Sequence, residues 1–225
     1  MTETKTRIGI LGGSFDPVHF GHIKPTLELA EHFNLHTVRL LPCKVSPFKS
    51  APHASPQHRL NMLNLIADNS ALLSVDDREL RRDTPSYTYL TLQELAAESA
   101  ANDTLFWIMG MDALVDFPEW HQAEKIMQLC HVLVLQRPGY TAAIKPAHQA
   151  WLARYLTANV ESLDKQAVGH IFITASTMLD ISSTQIRQIT HAGQQPRFLL
   201  PGGVWNYIKR NKLYQHQTEQ LTQEF

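Results

Sequence analysis

Short apolar runs alternate with amphipathic stretches along this chain. Ile8, Ile10 and Leu11 make the first run, so a strand is expected over about Arg7–Leu11, and a helix over about His22–Phe33. Thr37–Leu41 predicts a second strand, closed by Pro42. Lys44–Pro56 contains three prolines and reads as a loop long enough to be functional. A helix over Pro56–Asn69 and a short strand over Leu72–Val75 should follow. Another helix is expected over Ser86–Ser99, with Tyr87, Leu90, Leu92 and Leu95 supplying much of its apolar side. Leu105–Met109 is apolar throughout, which predicts a central parallel strand buried on both faces. His131–Leu135 repeats that pattern, and Ile171–Thr174 is the last short strand. Two helices, over about Ser183–His191 and Pro201–Arg210, should end the fold. Tyr140–His170 is less regular and is expected as a helical insertion, its role left open. This order predicts an α/β protein with a doubly wound parallel sheet and ligands at the carboxyl ends of its strands.

Composition narrows the setting. A length of 225 residues suits one α/β domain over 1–225, with a small C-terminal helical part at 181–214 and a tail at 215–225. A formal net charge of −1 offers no general attraction to nucleic acid or acidic membranes, so any grip on phosphate must be local. Cys43 and Cys130 form no C-x-x-C pair, which points away from metal or redox use and towards a reducing compartment. Met1–Arg7 is polar and leaves no room for a signal peptide, and no apolar run approaches the ~18 residues of a membrane span. A cytoplasmic location without a membrane partner is expected.

The chemistry starts at Ile-Gly-Ile-Leu-Gly-Gly-Ser-Phe-Asp-Pro-Val-His-Phe-Gly-His, residues 8–22. Gly12 and Gly13 end the first strand in a turn, and His19, Gly21 and His22 fall where the helix should begin. A helix start has unpaired N–H groups that attract anions. Imidazoles three residues apart can both face such an anion, and Gly21 would leave room for phosphate. No Gly-Lys-Ser/Thr follows, so this is not a Walker loop, nor is it a G-x-G-x-x-G fingerprint. Near the other end, Ile181-Ser182-Ser183-Thr184-Gln185-Ile186-Arg187 offers a hydroxyl-rich helix start, with an arginine about one turn on. Alone, it would be an ordinary capped helix with a surface arginine.

Together these two motifs resemble the nucleotidylyltransferase superfamily, with its H/T-x-G-H and I-S-S-T-x-x-R elements. Pro85-Ser86-Tyr87-Thr88-Tyr89-Leu90-Thr91 and Phe117-Pro118-Glu119-Trp120 further resemble the pyridine-pocket motifs of bacterial nicotinate-nucleotide adenylyltransferases. The likeness runs from Arg7 to about Tyr214 in the family's order. It implies a Rossmann-like fold and adenylyl transfer from ATP to nicotinate mononucleotide, giving deamido-NAD and pyrophosphate. On that resemblance His19, His22 and Arg187 are catalytic. Gly12, Gly13, Ser14, Phe15, Gly21, Gly110, Asp112, Arg137, Ser183 and Thr184 bind ATP. Tyr87, Thr88, Trp120 and Lys49 bind the mononucleotide.

The same resemblance implies direct in-line attack without a covalent enzyme intermediate, Mg²⁺ carried with ATP rather than in a protein cage, and a monomer or small homo-oligomer. Ser46-Pro47-Phe48-Lys49 departs from the family's P-P-H-K or P-P-H-R, so the usual histidine contact is missing. Lys49 should then carry more of the attraction for phosphate, with Lys44 as a helper. A sister transferase using nicotinamide mononucleotide or phosphopantetheine is the nearest rival, and a nucleotide-binding regulator without turnover is a rival of another class.

Overall fold

Seven strands carry the predicted apolar runs into one sheet of order β3-β2-β1-β4-β5-β7-β6. They are β1 (Arg7–Gly13), β2 (Thr37–Pro42), β3 (Leu73–Val75), β4 (Thr104–Gly110), β5 (His131–Gln136), β6 (Leu156–Thr157) and β7 (Ile171–Ala175). Every neighbouring pair runs parallel. The helices are α1 (Phe20–His32), α2 (Pro56–Ala67), α3 (Arg78–Arg81), α4 (Thr88–Glu98), α5 (Met111–Val115), α6 (Ala123–Ile126), α7 (Pro146–Ala153), α8 (Ser162–Lys165), α9 (Ser183–His191) and α10 (Gly202–Arg210), with a 3₁₀ turn at Phe117–Glu119. This computed structural model describes residues 6–44, 51–136, 143–165, 168–177 and 179–215.

The pleat sorts each strand's side chains between two cores. Phe106, Ile108, Leu133 and Leu135 face one side, where they meet Leu29 of α1, Met62 and Leu63 of α2, Ile186 of α9, and Val204 and Ile208 of α10. Leu105, Trp107, Met109, Val132 and Val134 face the other, against Leu92 and Leu95 of α4, Leu114 of α5, Ile126 of α6 and Leu152 of α7. Helices thus cover both faces, which is why Leu105–Met109 of β4 and Val132–Leu135 of β5 are apolar throughout. The chain leaves β1 for β2 on one side and reaches β4 on the other. The crevice beyond the carboxyl ends of β1 and β4 is therefore the topological switch point.

Two expectations need correction. Tyr140–His170 is not simply a helical insertion: β6 pairs with β7, Leu156 opposite Ile171 and Thr157 opposite Phe172, and forms the sheet edge. A two-residue strand is too short to show a period. In α4, Thr91, Leu92 and Leu95 are buried, while Tyr87 caps the helix and Leu90 is half-buried. The inward face follows the 91, 92, 95 spacing of a helix, so Leu90 turns aside. The short helices α3, α5 and α6 carried no signal, since four or five residues span barely one turn.

Candidate active site

β1 ends in glycines because its neighbours leave no space for side chains. A Cβ on Gly12 would lie 2.8 Å from the Trp107 ring, and one on Gly13 would lie 3.1 Å from the Phe15 ring. Phe15 takes a left-handed backbone, φ 50°, and buries its ring. The chain then enters α1 with His19 as N-cap in extended geometry. The His19 backbone N–H donates to His22 Nδ1 at 3.3 Å, so Nδ1 is an acceptor and that ring carries its proton on Nε2. The two imidazoles stack with centroids 3.8 Å apart, and Phe15 meets His22 edge-on at 5.2 Å.

Burial pushes the His19 imidazole down to about 4, so it is neutral at pH 7. Its buried Nδ1 has no hydrogen-bond partner among the described residues. Gly21 is required by this ring: a Cβ there would sit 2.9 Å from His19 Nδ1 and 3.1 Å from the Ile181 carbonyl oxygen. The Cβ side of Gly21 is therefore filled by protein. The helix start is also partly engaged, since the Phe20 N–H donates to the Leu199 carbonyl and the His22 N–H to His19.

The second motif is fastened to this corner. Ser182 caps α9, its Oγ accepting the Gln185 N–H at 3.1 Å. Ser183 Oγ donates to the Pro17 carbonyl at 2.9 Å. Arg187 Nη1 donates to the Asp16 carbonyl at 2.8 Å, and Nη2 to Thr184 Oγ1 at 3.1 Å. Ser183 therefore docks the helix on the loop through its hydroxyl. Asp16 itself is buried, with Oδ1 accepting from the Ala54 N–H and the Tyr214 hydroxyl and Oδ2 from the His53 N–H. Buried Arg59 of α2 donates to the carbonyls of Ser14 and Cys43, at 2.8 and 2.7 Å, joining the ends of β1 and β2.

Across the crevice, α4 starts at Thr88 without a side-chain cap; the Leu90 and Thr91 N–H groups donate to the Tyr87 carbonyl, which leaves those of Thr88 and Tyr89 to acceptors outside the helix. The Tyr87 ring lies 4.6 Å from that of His121, and Trp120 packs edge-on against Phe117 at 5.3 Å. Tyr87, Thr88 and the Trp120–His121 segment are thereby brought together. Gly110 caps α5 at the end of β4, open on its Cβ side, and exposed Asp112 lies in the helix's first turn. Lys44 is not free to help with phosphate, because its Nζ donates to the Arg82 carbonyl at 2.9 Å and approaches Asp83 at 3.3 Å. Lys49 and Arg137 lie outside the described residues.

The family model described as cytidylyltransferase-like matches residues 10–189. A protein of Pseudomonas putida named "Probable nicotinate-nucleotide adenylyltransferase" is 46% identical over 212 residues, 92% of this chain and 94% of its own. One of the same name from Klebsiella pneumoniae is 42% identical over 91% of this chain and 95% of its own. The chain belongs to the nicotinate-nucleotide adenylyltransferase family. A solved structure of Plasmodium falciparum nicotinic acid mononucleotide adenylyltransferase complexed with NaAD shares the fold, with a TM-score of 0.64 at 23% identity over 93% of this chain and 97% of that one.

In this family member, sequence reasoning missed Asp16, Arg59, His121 and Tyr214. Asp16 stood within the quoted motif without a role. Arg59 carried a usable signal: it lies with Met62, Leu63 and Ile66 on the apolar stripe of α2, where a charge has to be paired. Tyr214, near the end of the described chain, gave none.

Proposed function

We propose that the chain transfers the adenylyl group of ATP to nicotinate mononucleotide, giving deamido-NAD and pyrophosphate. The observation that carries this reading is the docking of both phosphate motifs on one loop, through Ser183 to Pro17 and Arg187 to Asp16. One such helix start is an ordinary cap. Two of them pinned at the switch point of a parallel sheet make a seat for a polyphosphate.

The mononucleotide's own 5′-phosphate is ionised at neutral pH and needs no general base. One of its oxygens attacks the α-phosphorus of ATP, the bond from that phosphorus to the bridging oxygen breaks, and pyrophosphate leaves. His22 Nε2–H and the backbone N–H groups near Ser14 and Phe15 meet the charge that grows on the α-phosphate. His19, buried and neutral, backs the His22 ring and adds hydrogen-bonding nitrogen without a second cation. Arg187, held by Asp16 and Thr184, offers its remaining N–H groups and positive charge to the leaving pyrophosphate. Catalysis on this proposal is positioning and electrostatics.

Gly110 and Asp112 face the ribose, and Arg137 lies near the adenylyl group. Tyr87, Thr88 and Trp120 frame the pyridine ring and its carboxylate, with Lys49 at the mononucleotide phosphate. Mg²⁺ enters with ATP as part of the substrate. Both oxygens of Asp16 are already filled by Ala54, His53 and Tyr214, which fits an ion held on nucleotide oxygens and water. The enzyme is proposed to work in the cytoplasm, as a monomer or small homo-oligomer.

Coupled pyrophosphate release with ATP tests the reaction, with nicotinate mononucleotide, nicotinamide mononucleotide and phosphopantetheine in parallel. Leaving the α4 N–H donors unpaired against an amide should reduce kcat/KM about tenfold to over a hundredfold. Equal kcat/KM for the two mononucleotides would refute carboxylate recognition, and no release with nicotinate mononucleotide would refute the function.

A further inference from the structure

Glu79 of α3 is a carboxylate with 3% of its surface exposed, and the reaction proposed above makes no use of it. Its partners lie at the start of α4. Thr91 Oγ1 donates to Glu79 Oε1 at 2.6 Å, and the Ser86 hydroxyl also hydrogen-bonds the Glu79 carboxyl. Arg82 Nη1 donates to the same Thr91 oxygen at 3.1 Å, while its Nη2 holds Glu94 at 2.8 Å. Ser86 Oγ in turn accepts the Lys44 N–H at 3.3 Å, and Lys44 Nζ binds the Arg82 carbonyl.

One buried carboxylate thus ties the first turns of α4 to the chain leaving β2. Tyr87 and Thr88 stand between its two contact points, Ser86 and Thr91. Burial pushes the Glu79 carboxyl up from its ordinary value, with Thr91 and Ser86 opposing. Burying an acid this deeply is costly, and an apolar side chain of like size would fill the space at less cost. A polar group here is explained by the geometry that it imposes on its neighbours.

We propose that Glu79 is a positioning residue for the mononucleotide. It holds the Ser86–Thr91 segment against the end of β2, so that Tyr87 and Thr88 keep their place beside the pyridine ring. ATP, seated on the opposite side of the switch point by His22 and Arg187, does not depend on it. This inference rests on the assignment of the α4 start to the pyridine ring.

Glu79→Ala and Glu79→Gln, assayed by pyrophosphate release and by calorimetric binding of each substrate alone, test it. Losing the buried acceptor in Glu79→Ala should raise KM and Kd for nicotinate mononucleotide roughly tenfold or more, with the ATP constants within about twofold. Glu79→Gln keeps an oxygen for one hydroxyl and should return the mononucleotide constants to within about threefold of wild type. Parallel weakening of both substrates, unchanged mononucleotide constants in Glu79→Ala, or no rescue by Gln would overturn the role. If Glu79→Ala does not fold, Thr91→Val removes the hydroxyl from the other side and should give the same split. Wild-type enzyme that binds nicotinate mononucleotide but does not turn it over would sink the proposed reaction and leave the binding split to decide on Glu79. Wild-type enzyme that does not bind it would overturn both.

Discussion

Arg187 and Asp16 meet across 171 positions of sequence, the guanidinium Nη1 donating to the Asp16 carbonyl at 2.8 Å. The contact fixes where the positive charge of α9 lies relative to the turn that leads into His19 and His22. Thr184 takes the other arm of the fork at 3.1 Å. A bidentate arrangement of this kind cannot be reproduced by an ammonium group.

Arg187→Lys keeps the charge and loses the fork. We expect kcat to fall about tenfold to a hundredfold, with a smaller change in mononucleotide KM. Steady-state pyrophosphate release measures both, and a variant within twofold of wild type would show that the charge alone suffices.

His22 presents Nε2–H because its Nδ1 is already an acceptor for the His19 backbone. If that donor matters most as charge develops, His22→Ala should lower kcat by about 10²-fold or more while ATP affinity changes far less. Single-turnover kinetics and ATP titration separate the two. Normal turnover with poor ATP binding would reassign His22 to ground-state binding.

His19 links the site to stability. Its imidazole lies at about 4 in the folded protein against an ordinary value of 6.5. Between those values the unfolded chain takes up a proton that the folded one does not, so the stability contribution is complete above pH 6.5 and is lost as pH falls towards 4. The loss should reach about 3 kcal/mol, and His19→Asn should flatten that part of the curve. Urea unfolding of both proteins from pH 7 to 4 measures it; parallel curves would remove His19 as the source.

Gly21→Ala places a methyl 2.9 Å from His19 Nδ1 and 3.1 Å from the Ile181 carbonyl. The imidazole must move, and with it the ring that stacks on it. We expect a stability loss of about 1–3 kcal/mol together with a marked fall in kcat, since overpacking here displaces the groups that face the phosphate. Full activity in a destabilised variant would separate the packing of His19 from the chemistry.

Much of this could be read along the chain, because local rules write it there. Leu105–Met109 had to be a central strand since both of its faces are apolar. Ser183–His191 was bounded by its hydroxyl cap and by its spacing, and the structure gives the same limits. The Gly12–His22 turn and the α9 start were recognisable because strand ends, caps and helix starts are made by residues next to one another. The resemblance that these motifs carry supplied the reaction.

The tertiary structure decided what those residues touch. Gly21 makes room on its Cβ side for His19 and the Ile181 carbonyl, and Ser183 docks on Pro17. Lys44 is committed to Arg82, and Tyr214 closes onto Asp16 from the far end of the described chain. Arg59 and Glu79 are buried because partners distant in sequence satisfy their charges. Hydrophobic periodicity reports which way a side chain faces. The partner that a buried polar atom finds depends on how the whole sheet and its helices close around it, and no local pattern records that.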